Sequence, residues 1–317
     1  GVVLSGHTDV VPVEGQDWHY APFRMQENDG RLYGRGTTDM KGFVACATSA
    51  ALAAAKRELE TPLHLAFSYD EEIGCVGVRH LLEHLSARAV KPRFCIVGEP
   101  TELAIATGHK GKTALRVTCR GKEVHSALAP QGINALHLAA DFLQLLRREQ
   151  ANLAETGTRD GDYDIPYSTI HAGVISGGTA LNIVPNHCDI DFEIRNLKSD
   201  DPEAILRRLK AGAAEILKTY PAGAAIDFDV VNSYPGLDTP PDSEVVAFVK
   251  ALTGANSTKK MAFGTEAGLF DQRLGVPCVV CGPGSMAQGH KPDEFIARSQ
   301  IEACEAMLTR LLDKLSA

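Results

Sequence analysis

The sequence predicts an α/β protein, a mostly parallel sheet with a ferredoxin-like (βαββαβ) unit inserted into it. Three features point there. Short apolar runs alternate with helical stretches through the first third of the chain. The middle changes to the order β-α-β-β-α-β, and after YPGLDTPP the α/β style resumes. At 317 residues the chain exceeds one typical domain, in keeping with a division in two.

Residues 2–4, 63–69 and 94–97 are apolar runs closed by Gly, Asp or Glu, the pattern of strands buried on both faces. Residues 41–58 and 78–85 read as the helices between them. In the middle, 113–121 reads as a strand. Residues 133–148 follow as a helix with Leu136, Ala139, Ala140, Leu143 and Leu146 at helical spacing. Strands at 168–175 and 188–195 come next, then a helix at 202–218 opened by Asp200 and Asp201, then a strand at 226–231. Helices near 242–252 and 299–316 flank a last strand at 278–281. With GHKGK and YPGLDTPP as hinges, the main domain spans 1–111 and 234–317 and the inserted one 112–233.

Composition excludes several functions. A formal charge of -8 offers no basic face for nucleic acid. The longest run of small apolar residues, FVACATSAALAAA from Phe43, is broken by Thr48 and Ser49. It falls short of the roughly 20 residues needed to span a bilayer. The eight cysteines lack the paired spacing of a disulfide framework and sit mostly in apolar runs, which fits a reducing cytoplasm. Cys278 and Cys281 have the spacing of a redox or zinc pair, but inside a buried strand they read as small hydrophobes. The chain opens directly on a strand without an initiator Met, so a preceding segment is expected.

Ligands of open α/β sheets collect beyond the carboxyl ends of the strands. His7 follows VVLSG, Glu71 and Glu72 follow LHLAFSYD, Glu99 follows FCIVG, and His290 follows CVVCGPGSMAQG. Asp39 lies in GRGTTDMKG just before a helix. Singly, each has an ordinary reading: a surface histidine, an N-cap, a solvated acidic pair. Together they supply imidazole and carboxylate at one sheet edge, which is what zinc takes besides thiolate.

The segments SGHTDVVP, GRGTTDMKG, YDEEIG, VGEPT and GPGSMAQGHKPDEF resemble the acetylornithine deacetylase and succinyl-diaminopimelate desuccinylase family of two-zinc metallohydrolases. The resemblance runs through essentially the whole chain. It implies a zinc-hydrolase catalytic domain with an inserted dimerisation domain, and two Zn2+ per subunit with Co2+ as a substitute. Asp39 would bridge the metals, His7 and Glu99 would complete one site, and Glu72 and His290 the other. Asp9 would hold the second nitrogen of His7, and the Asp39–Met40 peptide would be cis.

The resemblance casts Glu71 as general base rather than ligand, taking a proton from the attacking water and passing it to the leaving nitrogen. His125, in EVHSALAP, would reach across a homodimer interface to bind the oxyanion; the ordinary reading is a strand-end histidine. Asn182 and Arg195 match substrate-holding positions, Arg195 suiting an α-carboxylate. A surface arginine paired with Asp191 or Glu193 is the alternative. Gly264 would allow close backbone approach near a helix start, and Glu266 is expected to attract a side-chain ammonium. The implied partner is a small N-acyl amino acid, and GTEAG with GPGSMAQGHKPDEF points to N2-acetyl-L-ornithine. A desuccinylase, a broader N-acyl-amino-acid hydrolase, a dipeptidase and an inactive ligand-binding dimer remain alternatives.

Overall fold

A computed structural model describes residues 1–88 and 91–316. They form two compact units, Gly1–His109 with Leu237–Ala317, and Lys110–Gly236. The first unit begins with β1 (Val2–His7), β2 (Gln26–Asn28) and β3 (Arg31–Tyr33). A wide turn over Thr37–Lys41 leads into α1 (Gly42–Ala54), then β4 (Leu63–Ser68), α2 (Gly77–Ala87), β5 (Phe94–Pro100) and β6 (Ile105–His109). The second unit runs β7 (Gly111–Arg120), a 3-10 turn at Ser126–Gln131, α3 (Ala135–Thr156), β8 (Thr169–Gly177), β9 (His187–Asn196), α4 (Pro202–Leu217) and β10 (Ala225–Tyr234). The chain then returns through β11 (Leu237–Asp238), α5 (Glu244–Thr253), β12 (Thr258–Met261), α6 (Ala267–Leu274), β13 (Cys278–Gly282), β14 (Phe295–Ala297) and α7 (Arg298–Leu315).

The main sheet has the order β11-β6-β13-β5-β1-β4, with β12 beside β6. β1 pairs in parallel with β4 and β5, and β13 in parallel with β5. The carboxyl ends of these four strands therefore share one edge. Every residue of β1 and β5 is buried, which explains their unbroken apolar character. Helix α1 turns Phe43, Cys46, Ala47 and Ala50, spaced at i, i+3, i+4 and i+7, onto a core that includes Leu4, Ile96, Val246 and Leu311. Burial of one such large side chain contributes about 1.5–3 kcal/mol. Gly98 makes this packing possible, because a Cβ there would lie 2.0 Å from Phe43 Cδ1. Cys278 and Cys281 are buried in β13, and all eight cysteines are free.

In the second unit the sheet order is β10-β7-β9-β8, antiparallel throughout, the ferredoxin-like arrangement. Strands β7 and β9 alternate between buried and more exposed residues, as a sheet covered on one face requires. Leu138 and Phe142 of α3 and Leu206 and Leu209 of α4 pack with Leu115, Val117, Ile190 and Phe192. The Asn134 side chain caps α3 by accepting from the backbone N–H of Leu136 and His137. Asp201 caps α4 by accepting from Glu203, ahead of Pro202 in the first turn.

The structure differs from the sequence reading in detail. The helix expected over 41–58 covers only Gly42–Ala54. Asp39 and Met40 leave helical dihedrals (φ -123, ψ 93 and φ -132, ψ 32) and form a separate turn. Strands β2, β3 and β14 pair into a small antiparallel sheet that the sequence did not suggest. Each of these strands has three residues, too few to show a period of two. Among the described residues, no helix is long and apolar enough to cross a membrane.

Candidate metal centre

The sheet edge gathers the expected residues of the first unit. His7 ends β1, Glu99 lies in β5, Glu71 and Glu72 follow β4, and His290 follows β13. The turn before α1 brings Asp39 among them, with its peptide to Met40 cis. Asp39 lies between the two imidazoles. Its Oδ1 is 3.1 Å from His7 Nε2 and its Oδ2 is 3.0 Å from His290 Nε2. Glu99 Oε1 stands 3.8 Å from His7 Nε2, and Glu72 Oε2 3.2 Å from His290 Nε2. Two half-sites thus share one carboxylate. The other nitrogen of His7, Nδ1, lies 3.0 Å from the Asp9 carbonyl and 3.3 Å from its Oδ1. Asp9 Oδ2 in turn accepts the Glu72 backbone N–H at 3.0 Å.

This donor set suits divalent cations. His7, Asp39 and Glu99 are almost wholly buried, and such charges persist only when paired or bound to metal. Glu72 Oε1 is buried without a hydrogen-bond partner among the described residues. Ligating atoms of His7, Asp39 and Glu72 lie within 4.8 Å of one another, as do those of His7, Glu71 and Glu99.

Without metal, protons take up the excess negative charge. Burial opposes a charged His7, yet hydrogen bonds to Asp39 and Asp9 raise its pKa far above the usual imidazole range. Hydrogen bonds to Asp39 and then Glu72 lift His290 to about 10. Burial works against the Asp39 carboxylate, but His290 and His7 hold its pKa well below the ordinary value. Asp9 behaves alike: against burial, His7 and the backbone N–H of Glu72 bring it down to about 2. Burial first, then the nearby Asp39 charge, pushes Glu99 well up. Burial raises Glu71 to about 8 although His7 pulls the other way.

Glu266 lies below the surface of the first unit. Only 1% exposed, it accepts from Ser68 Oγ at 2.5 Å and Ser5 Oγ at 3.3 Å. Both of its carboxylate oxygens are thus engaged by serine hydroxyls. Burial raises its pKa to about 7. Gly264 lies in the loop before α6, half-buried.

The remaining candidates belong to the second unit. His125 and Asn182 are neighbours, since the Ser126 N–H donates to the Asn182 carbonyl at 2.9 Å and His125 bridges to Ile183. Both are exposed. His125 Nδ1 accepts the Ala127 N–H at 3.1 Å, so the neutral ring carries its proton on Nε2. Arg195 forms a two-pronged pair with Glu193, at 2.9 and 3.2 Å, and donates to Tyr234 Oη at 3.2 Å. The ion pair weighed for it from the sequence is therefore present.

Sequence reasoning missed several residues around the centre. Cys75 Sγ donates to Glu71 Oε1 at 3.2 Å, and nothing in the sequence signalled it. Arg35 and Glu294, a buried pair at 2.6 Å, lie inside the quoted motifs, four residues from Asp39 and His290 respectively. Asp70, Cys75, His290 and Asp293 all have positive φ, between 55° and 62°. Non-glycine residues held in that region collect at functional sites.

Comparison with known proteins agrees with this geometry. Residues 3–314 match the model of peptidase family M20/M25/M40. An acetylornithine deacetylase of Myxococcus xanthus is 38% identical over 309 residues, covering 98% of this chain and 78% of that protein. Aminopeptidase PepT of Bacillus cereus has a similar structure (TM-score 0.75, 20% identity), covering 100% of this chain and 81% of that one. The YXEP protein of Bacillus subtilis, a dinuclear metal-binding peptidase of the M20 family, aligns at TM-score 0.69 and 15% identity over 99% and 81% of the two chains. With its parallel sheet, its inserted unit and the histidines and carboxylates at its sheet edge, the chain belongs to peptidase family M20/M25/M40, a family of metallohydrolases.

Proposed function

We propose that this metallohydrolase removes the acetyl group from N2-acetyl-L-ornithine, giving L-ornithine and acetate, a cytoplasmic step of arginine biosynthesis. The observation that carries the hydrolytic reading is the Asp39 carboxylate set between His7 and His290, one oxygen to each. The substrate rests on the 38% identity to a deacetylase of that specificity.

Two zinc ions are the assigned cofactors, with cobalt as a substitute. His7 and Glu99 would hold one, His290 and Glu72 the other, and Asp39 both. When bound, such ions polarise an acyl carbonyl and lower the pKa of water toward neutrality. Glu71 takes the proton of the attacking water on its carboxylate and delivers it to the departing nitrogen. The Cys75 thiol, donating to Oε1, fixes the orientation of that carboxylate. Asp9 sets the ring of His7. His125 supplies its Nε2–H to the oxyanion from the partner subunit of a homodimer, where the charge develops as the tetrahedral centre forms. Asn182 and Arg195 hold the substrate, and Gly264 leaves room for its approach. Arg195 would then have to share its guanidinium between Glu193 and the substrate carboxylate.

Hydrolysis of N-acetylornithine and of succinyl-diaminopimelate, measured side by side before and after metal stripping and zinc replacement, tests this assignment. Zinc-dependent cleavage of acetylornithine alone is expected. Cleavage of the succinyl substrate instead would move the specificity and leave the chemistry, and cleavage of neither by folded, zinc-loaded protein would overturn both.

A further inference from the structure

The residues that aim the metal ligands lie behind them. Glu294 is buried beneath the turn that carries Asp39, and its Oε1 accepts the backbone N–H groups of Thr38 and Asp39 at 2.9 and 3.2 Å. Its Oε2 takes the Arg35 Nη1 donor at 2.6 Å, with both side chains at most 1% exposed. The Glu294 carbonyl accepts the Gly34 N–H, which ties the segment leading into that turn to the same residue. Arg35 also reaches the His290 side. It donates from Nη1 to the Lys291 carbonyl at 3.3 Å and from Nη2 to Gln16 Oε1 at 2.7 Å. Gln16 Nε2 then donates to the His290 carbonyl at 3.1 Å. The Trp18 ring covers the guanidinium at 4.9 Å.

These contacts form one closed frame. The Asp39 turn hangs from one oxygen of Glu294, the His290 loop from Arg35 directly and through Gln16, and the buried ion pair joins them. We propose that Glu294, with Arg35 and Gln16, is a positioning device. It locks the shared carboxylate and His290 in one relative geometry, so that the second cation meets a preformed pair of ligands. This rests on the metal-centre reading above. It predicts that the frame governs ion binding although none of its three side chains is itself a ligand.

The chemistry supports this role over plain stability. A buried carboxylate that accepts two consecutive backbone N–H groups fixes the peptide planes on both sides of Thr38. Such fixation sets where the Asp39 side chain departs from the chain. Outer partners of this kind commonly change metal affinity by about 10–100-fold when removed.

The test is cobalt(II) titration of the metal-stripped full chain, followed by its visible absorption, for wild type, Glu294→Gln and Gln16→Ala. Circular dichroism of each apo variant establishes that it is folded. Glu294→Gln is expected to bind the second cobalt about 10–100-fold more weakly with an altered spectrum, and to lower kcat while leaving KM unchanged. Gln16→Ala, at the half-exposed rim of the frame, is expected to fold like wild type with a smaller loss at the same ion. It decides the matter if Glu294→Gln fails to fold. Folded variants with the affinity and spectrum of wild type would overturn the positioning role alone. A wild-type chain that takes up no cobalt would overturn the metal reading, and this inference with it.

Discussion

The two units treat charge in opposite ways. In the second, three carboxylates of the sheet each meet an arginine: Asp191 with Arg116 at 2.7 Å, Asp227 with Arg120 at 2.8 Å, Glu193 with Arg195 at 2.9 Å. These groups are neutralised within the chain and need nothing further. At the sheet edge of the first unit Asp39, Glu72 and Glu99 have no arginine or lysine partner among the described residues. They turn toward two imidazoles and one another. A self-satisfied surface serves solubility and sheet pairing, whereas a buried excess of acceptors asks for a cation from outside the chain.

The contrast breaks first at Asp39. Asp39→Asn removes charge from both half-sites, and loss of tight metal binding with at least about a 10³-fold fall in kcat/KM is expected, about 4 kcal/mol of barrier. Metal analysis of the purified variant beside steady-state kinetics checks both. Glu71→Gln separates binding from proton transfer: the metal content should persist while kcat drops about 10²–10⁴-fold. His125→Ala should lower kcat about 10²–10³-fold with little change in KM. Mixing it with Glu71→Ala should restore part of the activity through hybrid dimers. No recovery despite proven subunit exchange would refute contribution across an interface.

Proton linkage sharpens the same comparison more gently. His290, lifted to about 10, and His7, raised further, carry protons at neutral pH in the metal-free chain, and both must lose them to bind metal. Zinc uptake at pH 7 should therefore release protons, and apparent affinity should rise as the pH climbs toward 10. Calorimetry in buffers of different ionisation enthalpy reads this directly. Smallest of all, Asp227→Ala, which breaks an exposed pair with Arg120, should leave metal affinity and turnover unchanged and thermal stability nearly so.

Most of the fold and of the cluster at the sheet edge could be read from residues that act locally. His7 closes an apolar run and Glu99 lies just beyond another, so position along the chain already placed them at the end of a parallel strand. Asp39 and His290 stood out through the motifs around them. What stayed hidden depends on distant pairing. Arg35 meets Glu294 across 259 positions, and neither residue betrays its burial. Glu266 was singled out by its motif, GTEAG, and not by its surroundings. Its real partners, Ser5 and Ser68, lie in two strands remote in sequence, where a buried serine is hard to distinguish from an ordinary strand residue. The small sheet of β2, β3 and β14 is built from segments too short to carry a pattern.

The most direct test of the central claim, that Asp39 joins two cation sites, is the zinc stoichiometry of the wild-type chain at saturation. It can be measured by elemental analysis after removal of free metal. Two ions per chain are predicted, and one ion or none in folded protein would contradict a centre built around a shared carboxylate.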